Sequence, residues 1–125
     1  MKLIDTNIFL EILLNQEKEN KCKAFLENTT GEIYISDFSL HSIGVLLFKS
    51  GKPRIFSEFL NDTLVNIPLI SLSIDLYDLT LQAKERFNLD FDDAYQFAIA
   101  KENGLSIVTL DKDFKRVKGI EVKYL

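Results

Sequence analysis

Three aspartates stand where a divalent cation could be held. Asp5 directly follows the short apolar segment Lys2–Ile4, and Asp111 directly follows Ile107–Leu110. Asp93 opens a run in which Ala94, Tyr95, Phe97, Ala98, Ile99 and Ala100 are nearly all apolar, so its carboxylate is expected at a buried edge. Carboxylates brought together repel one another and bind protons more tightly unless a cation neutralises them. With a single cysteine, Cys22, and a single histidine, His41, the chain can form neither an internal disulfide nor a Cys/His-rich zinc centre. Oxygen donors alone favour magnesium or manganese.

Each acid also has a plain structural role open to it. Asp5 can cap the helix that follows it. Asp90, Asp92 and Asp93 crowd one helix start, where the helix dipole favours acids. Successive helical residues lie about 100° apart, so they cannot all face one ion. Asp90 is the natural N-cap, and Asp92 either faces solvent or stands behind the residues at the ion. Asp111 and Asp113 can shape the turn before Phe114. Taken singly these roles suffice, but they leave the convergence of Asp5, Asp93 and Asp111 unaccounted for.

Convergence requires elements that deliver all three to one place. Strand-like segments are expected at Lys2–Ile4, Glu32–Ile35, Val65–Leu72, Leu105–Leu110 and Ile120–Tyr124. Pro68 predicts an edge position for the third. Helices are expected from Asp5 or Thr6 through Leu13, then at 18–26, 38–48 and 55–64, from a Ser73 cap to Phe87, and at 91–102. Strands alternating with helices predict an α/β fold, a parallel sheet with helices on both faces. Ligands then gather beyond the carboxyl ends of the strands, where the strand order reverses. Asp5 and Asp111 both sit at such an end.

At 125 residues the chain is expected to be one domain, 1–125, able to fold without a metal or disulfide staple. Its 46% hydrophobic content and 10 phenylalanines support a sizeable core. The charge at Asp5 interrupts any signal-peptide core, and the apolar run Ile43–Phe48 is too short to span a bilayer, so a cytoplasmic protein is expected. A net charge of −4 argues against a generic nucleic-acid binder with a basic face. It leaves a nuclease open, because a metal-binding acid cluster supplies several of those negatives. Lys112, Lys115 and Arg116 follow Asp111 and are candidate phosphate contacts, with a solvated basic turn as the alternative. A phospho-receiver domain is excluded, because the third strand carries no aspartate to phosphorylate.

Leu3-Ile4-Asp5-Thr6-Asn7, Asp92-Asp93-Ala94 and Val108-Thr109-Leu110-Asp111-Lys112-Asp113-Phe114 together resemble, in order and spacing, the motifs of PIN-domain proteins. The resemblance covers the whole chain. It implies a three-layer fold with a five-stranded parallel sheet, and a magnesium- or manganese-dependent ribonuclease acting on RNA. Many such proteins are toxins of VapBC-type pairs, which implies an antitoxin as partner. By motif match Asp5, Asp93 and Asp111 are the catalytic and metal-site acids, Asn7 and Thr109 support them, and Asp113 is secondary. The family usually adds a glutamate from the helix after the second strand, and that position here is Ser42. The departure leaves a second reading, a PIN fold without catalysis that serves in binding or assembly. The apolar excess around Leu40, Leu46, Leu47 and Phe48, and around Ile55, Phe56, Phe59 and Leu60, predicts a homodimer.

Overall fold

Alternation along each short strand builds the layers. In the computed structural model, which describes residues 1–125, β1 (Lys2–Ile4) lies at the centre of a five-stranded, all-parallel sheet. It pairs on one side with β2 (Ile33–Ser36) and on the other with β4 (Ser106–Thr109). The strands β3 (Leu69–Ile70) and β5 (Val122–Tyr124) form the edges, giving the order β3-β2-β1-β4-β5. Successive strand side chains point to opposite faces. Leu3 and Ile107 therefore enter one core, with Tyr95, Ile99 and Phe114. Ile4, Ile35 and Val108 enter the other, with Ile8, Phe9, Ile43 and Leu47.

The helices are α1 (Thr6–Leu13), α2 (Glu19–Asn28), α3 (Asp37–Lys49), α4 (Pro53–Glu58), α5 (Asp78–Phe87) and α6 (Phe91–Asn103). Their starts follow the side-chain chemistry. Asp5 caps α1 by accepting the Thr6 N–H, Ser36 caps α3 by accepting that of Ser39, and Asp90 caps α6 by accepting that of Asp93. Gly104, at φ 64°, ends α6 in the left-handed conformation that glycine tolerates. Gly44 lets α4 approach α3, because a Cβ there would lie 3.3 Å from the Phe56 ring. No helix is long and apolar enough to cross a membrane.

The sequence reading needs correction between residues 53 and 78. The helix expected at 55–64 begins at Pro53, the favoured first helical residue, and loosens into wider turns over Phe59–Thr63 and a tight turn over Leu64–Asn66. Only Leu69–Ile70 of the strand expected over Val65–Leu72 pairs with β2, at the sheet edge that Pro68 predicted. Ser73 makes no side-chain cap; a tight turn at Ile74–Leu76 precedes α5. In this stretch apolar content marks burial against neighbours and carries no clear period, so helix and strand look alike.

Candidate active site

The strand order places the site. The chain runs outward from β1 through β2 to β3, then returns to the other side of β1 as β4. The crevice at the carboxyl ends of β1 and β4 is thus the switch point of the sheet. Asp5 leaves β1 there, its N–H bonded to the Val108 carbonyl at 2.9 Å. Asp111 leaves β4 two residues after Thr109. Asp93 arrives in the first turn of α6, and all three acids line a single cavity of about 400 Å³.

One acid ends up where the spacing did not indicate, and another is bonded more heavily than the spacing indicated. One carboxylate oxygen from each of Asp93, Asp111 and Asp113 lies within 4.8 Å of the others. Asp113, expected as secondary, belongs to this tight trio, because the turn after β4 folds it back: the Asp111 side chain accepts the Asp113 N–H at 2.8 Å. Asp5 lines the same cavity but is deeply hydrogen-bonded. Its Oδ1 accepts the Thr6 N–H at 2.9 Å and Gln96 Nε2 at 3.2 Å, while Oδ2 accepts the Thr109 hydroxyl at 2.6 Å.

The electrostatics match this crowding. Asp93 is pushed up to about 8, by burial first and then by the charges of Asp111, Asp90, Asp5 and Asp113. Burial also raises Asp5 above the ordinary carboxylate range; its bonds from Thr109, Gln96 and Thr6 pull it back, and Asp111 adds to the rise. Asp92 is exposed at the cavity mouth and is raised by partial burial and by Asp90. No lysine or arginine lines the cavity, so the protein itself supplies no counter-charge there. A hard divalent cation fits this donor set: carboxylate oxygens close enough to share it, and a negative field that it would relieve.

The supporting residues divide. Thr109 is fully buried; it donates to Asp5 and accepts the Asp111 N–H at 2.9 Å, so one hydroxyl ties the two strand ends together. Asn7 lines the cavity and its Oδ1 faces the Leu110 N–H at 3.4 Å. Ser42 lies on the α3 wall of the same cavity, beside His41, Val45 and Leu46, and brings no charge. Asp37 is the first residue of α3, and it accepts the Tyr95 hydroxyl at 2.8 Å. Lys112, Lys115 and Arg116 are exposed on the turn after Asp111 and do not line the cavity. Gln96 and Ser39 escaped the sequence reading, although Gln96 is the one polar interruption of the apolar run after Asp93. Both are buried, and Gln96 Nε2 donates to Ser39 Oγ at 2.9 Å.

Comparison with known proteins agrees with this architecture. A toxin–antitoxin complex chain from Klebsiella pneumoniae superimposes with a TM-score of 0.77 at 23% identity, over 96% of this chain and 95% of that one. VapC20 from Mycobacterium tuberculosis, described as a Sarcin-Ricin loop cleaving toxin, gives 0.83 at 18% identity, over 98% and 99%. A chain of VapBC2 from Rickettsia felis, bound to promoter DNA, gives 0.76 at 20% identity, over 99% and 98%. No curated protein matches by sequence. The PIN domain model matches residues 2–120, and the chain belongs to the PIN domain family.

Proposed function

We propose that the protein is a magnesium- or manganese-dependent ribonuclease, the toxin of a toxin–antitoxin pair. The observation that carries this reading is the set of uncompensated carboxylates at the switch point of the sheet, with Asp93 raised to about 8. Asp93, Asp111 and Asp113 would hold the ion, and Asp5 would face it from behind. The ion, once bound, would polarise a phosphodiester and acidify the attacking water. Thr109 keeps Asp5 and Asp111 in fixed relation. Lys112 and Lys115, outside the cavity, would meet phosphates along the strand.

The toxin reading draws on the solved relatives, several of which are toxin–antitoxin complexes. A protein partner would find apolar ground on α3 and on the turns that follow α4, where Leu46, Phe48 and Leu60 are exposed while Leu47 and Phe59 serve the core. The same ground suits a homodimer. Light scattering at high micromolar concentration tests the dimer, and a lasting monomer defeats it.

A second reading, a PIN fold kept for assembly without catalysis, draws on Ser42 in the place of an acid. Titration with manganese, followed by incubation with single-stranded RNA, separates the two. The ribonuclease reading expects metal uptake and metal-dependent cleavage that Asp93→Asn abolishes. Folded protein that takes up no metal defeats it.

A further inference from the structure

Gln96 is costly where it stands. It is 1% exposed on a helix otherwise packed with Ala94, Tyr95, Phe97, Ala98 and Ile99, and its Oε1 finds no hydrogen-bond partner. A buried polar atom left unpaired calls for a reason, since an apolar side chain would fill the same space without that penalty. Its other end is fully used. The two protons of Nε2 go to Asp5 Oδ1 at 3.2 Å and to Ser39 Oγ at 2.9 Å. Ser39 Oγ is itself fixed by the hydroxyls of Thr6, at 2.7 Å, and Ser36, at 3.1 Å. The chain of bonds thus joins α6, α3 and the start of α1 behind one carboxylate.

A count of lone pairs shows the consequence. A carboxylate offers about four acceptor positions, two on each oxygen. The Thr6 N–H and Gln96 fill those of Oδ1, and Thr109 takes one on Oδ2. What remains is a single position, on Oδ2. An ionised carboxylate can only accept, so the amide must present its nitrogen to Asp5 and leave its oxygen over.

We propose that Gln96 is a positioning residue: held by Ser39, its amide saturates Oδ1 of Asp5 and leaves only Oδ2 to face the cation. The inference rests on the cation site proposed above. Manganese titration by calorimetry tests it without any need for turnover. Gln96→Met keeps length and bulk but removes both donors, and should weaken manganese binding roughly 10-fold to 100-fold, as loss of an outer partner does. Its melting temperature in chelator should change little, because the unpaired oxygen goes together with the bonds to Asp5 and Ser39; a purely structural role would move the melt and spare the affinity. Ser39→Ala should give a smaller loss of affinity. A Gln96→Met protein that binds manganese as tightly as wild type overturns the assignment alone. If that variant does not fold, Ser39→Ala decides: weaker binding supports the assignment and equal binding overturns it. Wild-type protein without manganese uptake overturns the proposed function, and this assignment with it.

Discussion

The two walls of the acidic cavity are built on opposite plans. One wall, from the ends of β1 and β4 and the start of α6, carries Asp5, Asp93 and Asp111 with Asp92 at its edge. The facing wall, from α3, carries Phe38, His41, Ser42, Val45 and Leu46, with no acid at all. His41 and Val45 also line a neighbouring apolar hollow of about 620 Å³ against Phe48 and Phe56. The acidic wall stores unfavourable charge that a proton on Asp93 or an added cation relieves; the α3 wall carries no acid and runs on into apolar surface. Binding and chemistry therefore load different elements, and substitutions on the two walls should separate cleanly.

The largest effect belongs to Asp93. Loss of an outer hydrogen-bond partner costs metal sites up to roughly 100-fold. Asp93→Asn, which removes a member of the tight trio, should lower metal-dependent RNA cleavage by more than that. Its melting behaviour should move the other way. In chelator above about pH 8, where the wild-type carboxyl is ionised, the variant should melt at or above the wild-type temperature, since one of the mutually repelling charges is gone. Magnesium should then stabilise it less than wild type, whose gain would be about 2.7 kcal/mol at a hundredfold excess over the dissociation constant. An undiminished magnesium shift in the variant would show that Asp93 only starts a helix.

The same charge sets a pH dependence with a definite sign. The folded protein holds the Asp93 proton up to about 8, against 3.8 for the free side chain. Between those values the unfolded chain has released a proton that the native state keeps, so stability falls as pH rises. Metal-free protein should be most stable near the acid end of that window and should have lost this contribution above about pH 8. Saturating magnesium should flatten the curve. Melting series at pH 5, 6.5 and 8 in chelator check the slope, and Asp93→Asn should remove most of it.

On the α3 wall the expected change is a gain. Ser42→Glu adds the acid that this wall lacks and should raise manganese affinity several-fold, roughly the scale of one further carboxylate contact at a partly solvated site. Calorimetry on the folded variant gives the answer. Unchanged affinity would place residue 42 outside the reach of the ion and break the contrast between the walls.

How much of this was legible beforehand differs between the walls for a physical reason. Strand ends and helix starts are fixed by local chemistry: Ile4 to Asp5, Leu110 to Asp111 and the Asp90 cap each declare a boundary, so Asp5, Asp93 and Asp111 could be assigned to one rim. The fold class followed from the same alternation. Turn geometry is less visible. Asp113 joins the trio only because the Asp111 side chain folds the turn onto itself, a contact within two residues that spacing does not announce. Gln96 and Ser39 are farther still from legibility, since 57 residues separate them and only the packing of α6 on α3 makes them partners. Gln96 did leave a trace, one polar residue in an apolar run, which helical periodicity would place one turn beyond Asp92 on the cavity face.

The smallest expected effect is at the basic turn after Asp111. Lys112, Lys115 and Arg116 are exposed and lie outside the cavity, so they have no part in holding the ion. Arg116 has a local task as well, with Nε donating to the Asp113 carbonyl at 3.4 Å across the turn that presents Asp111 and Asp113. A lysine that meets an RNA phosphate displaces a condensed counterion, which gives a salt slope of about −0.7 per contact on a single strand. Lys112→Ala and Lys115→Ala should each make the slope shallower by about that amount and leave manganese affinity unchanged. Arg116→Ala should instead loosen the turn, with a small loss of metal affinity and no fixed change in slope. Binding of a short single-stranded RNA to Asp93→Asn protein, which cannot cleave it, measures the slopes across a salt series. If the slope is the same with and without Lys112 and Lys115, these side chains belong to a solvated turn and take no part in holding RNA.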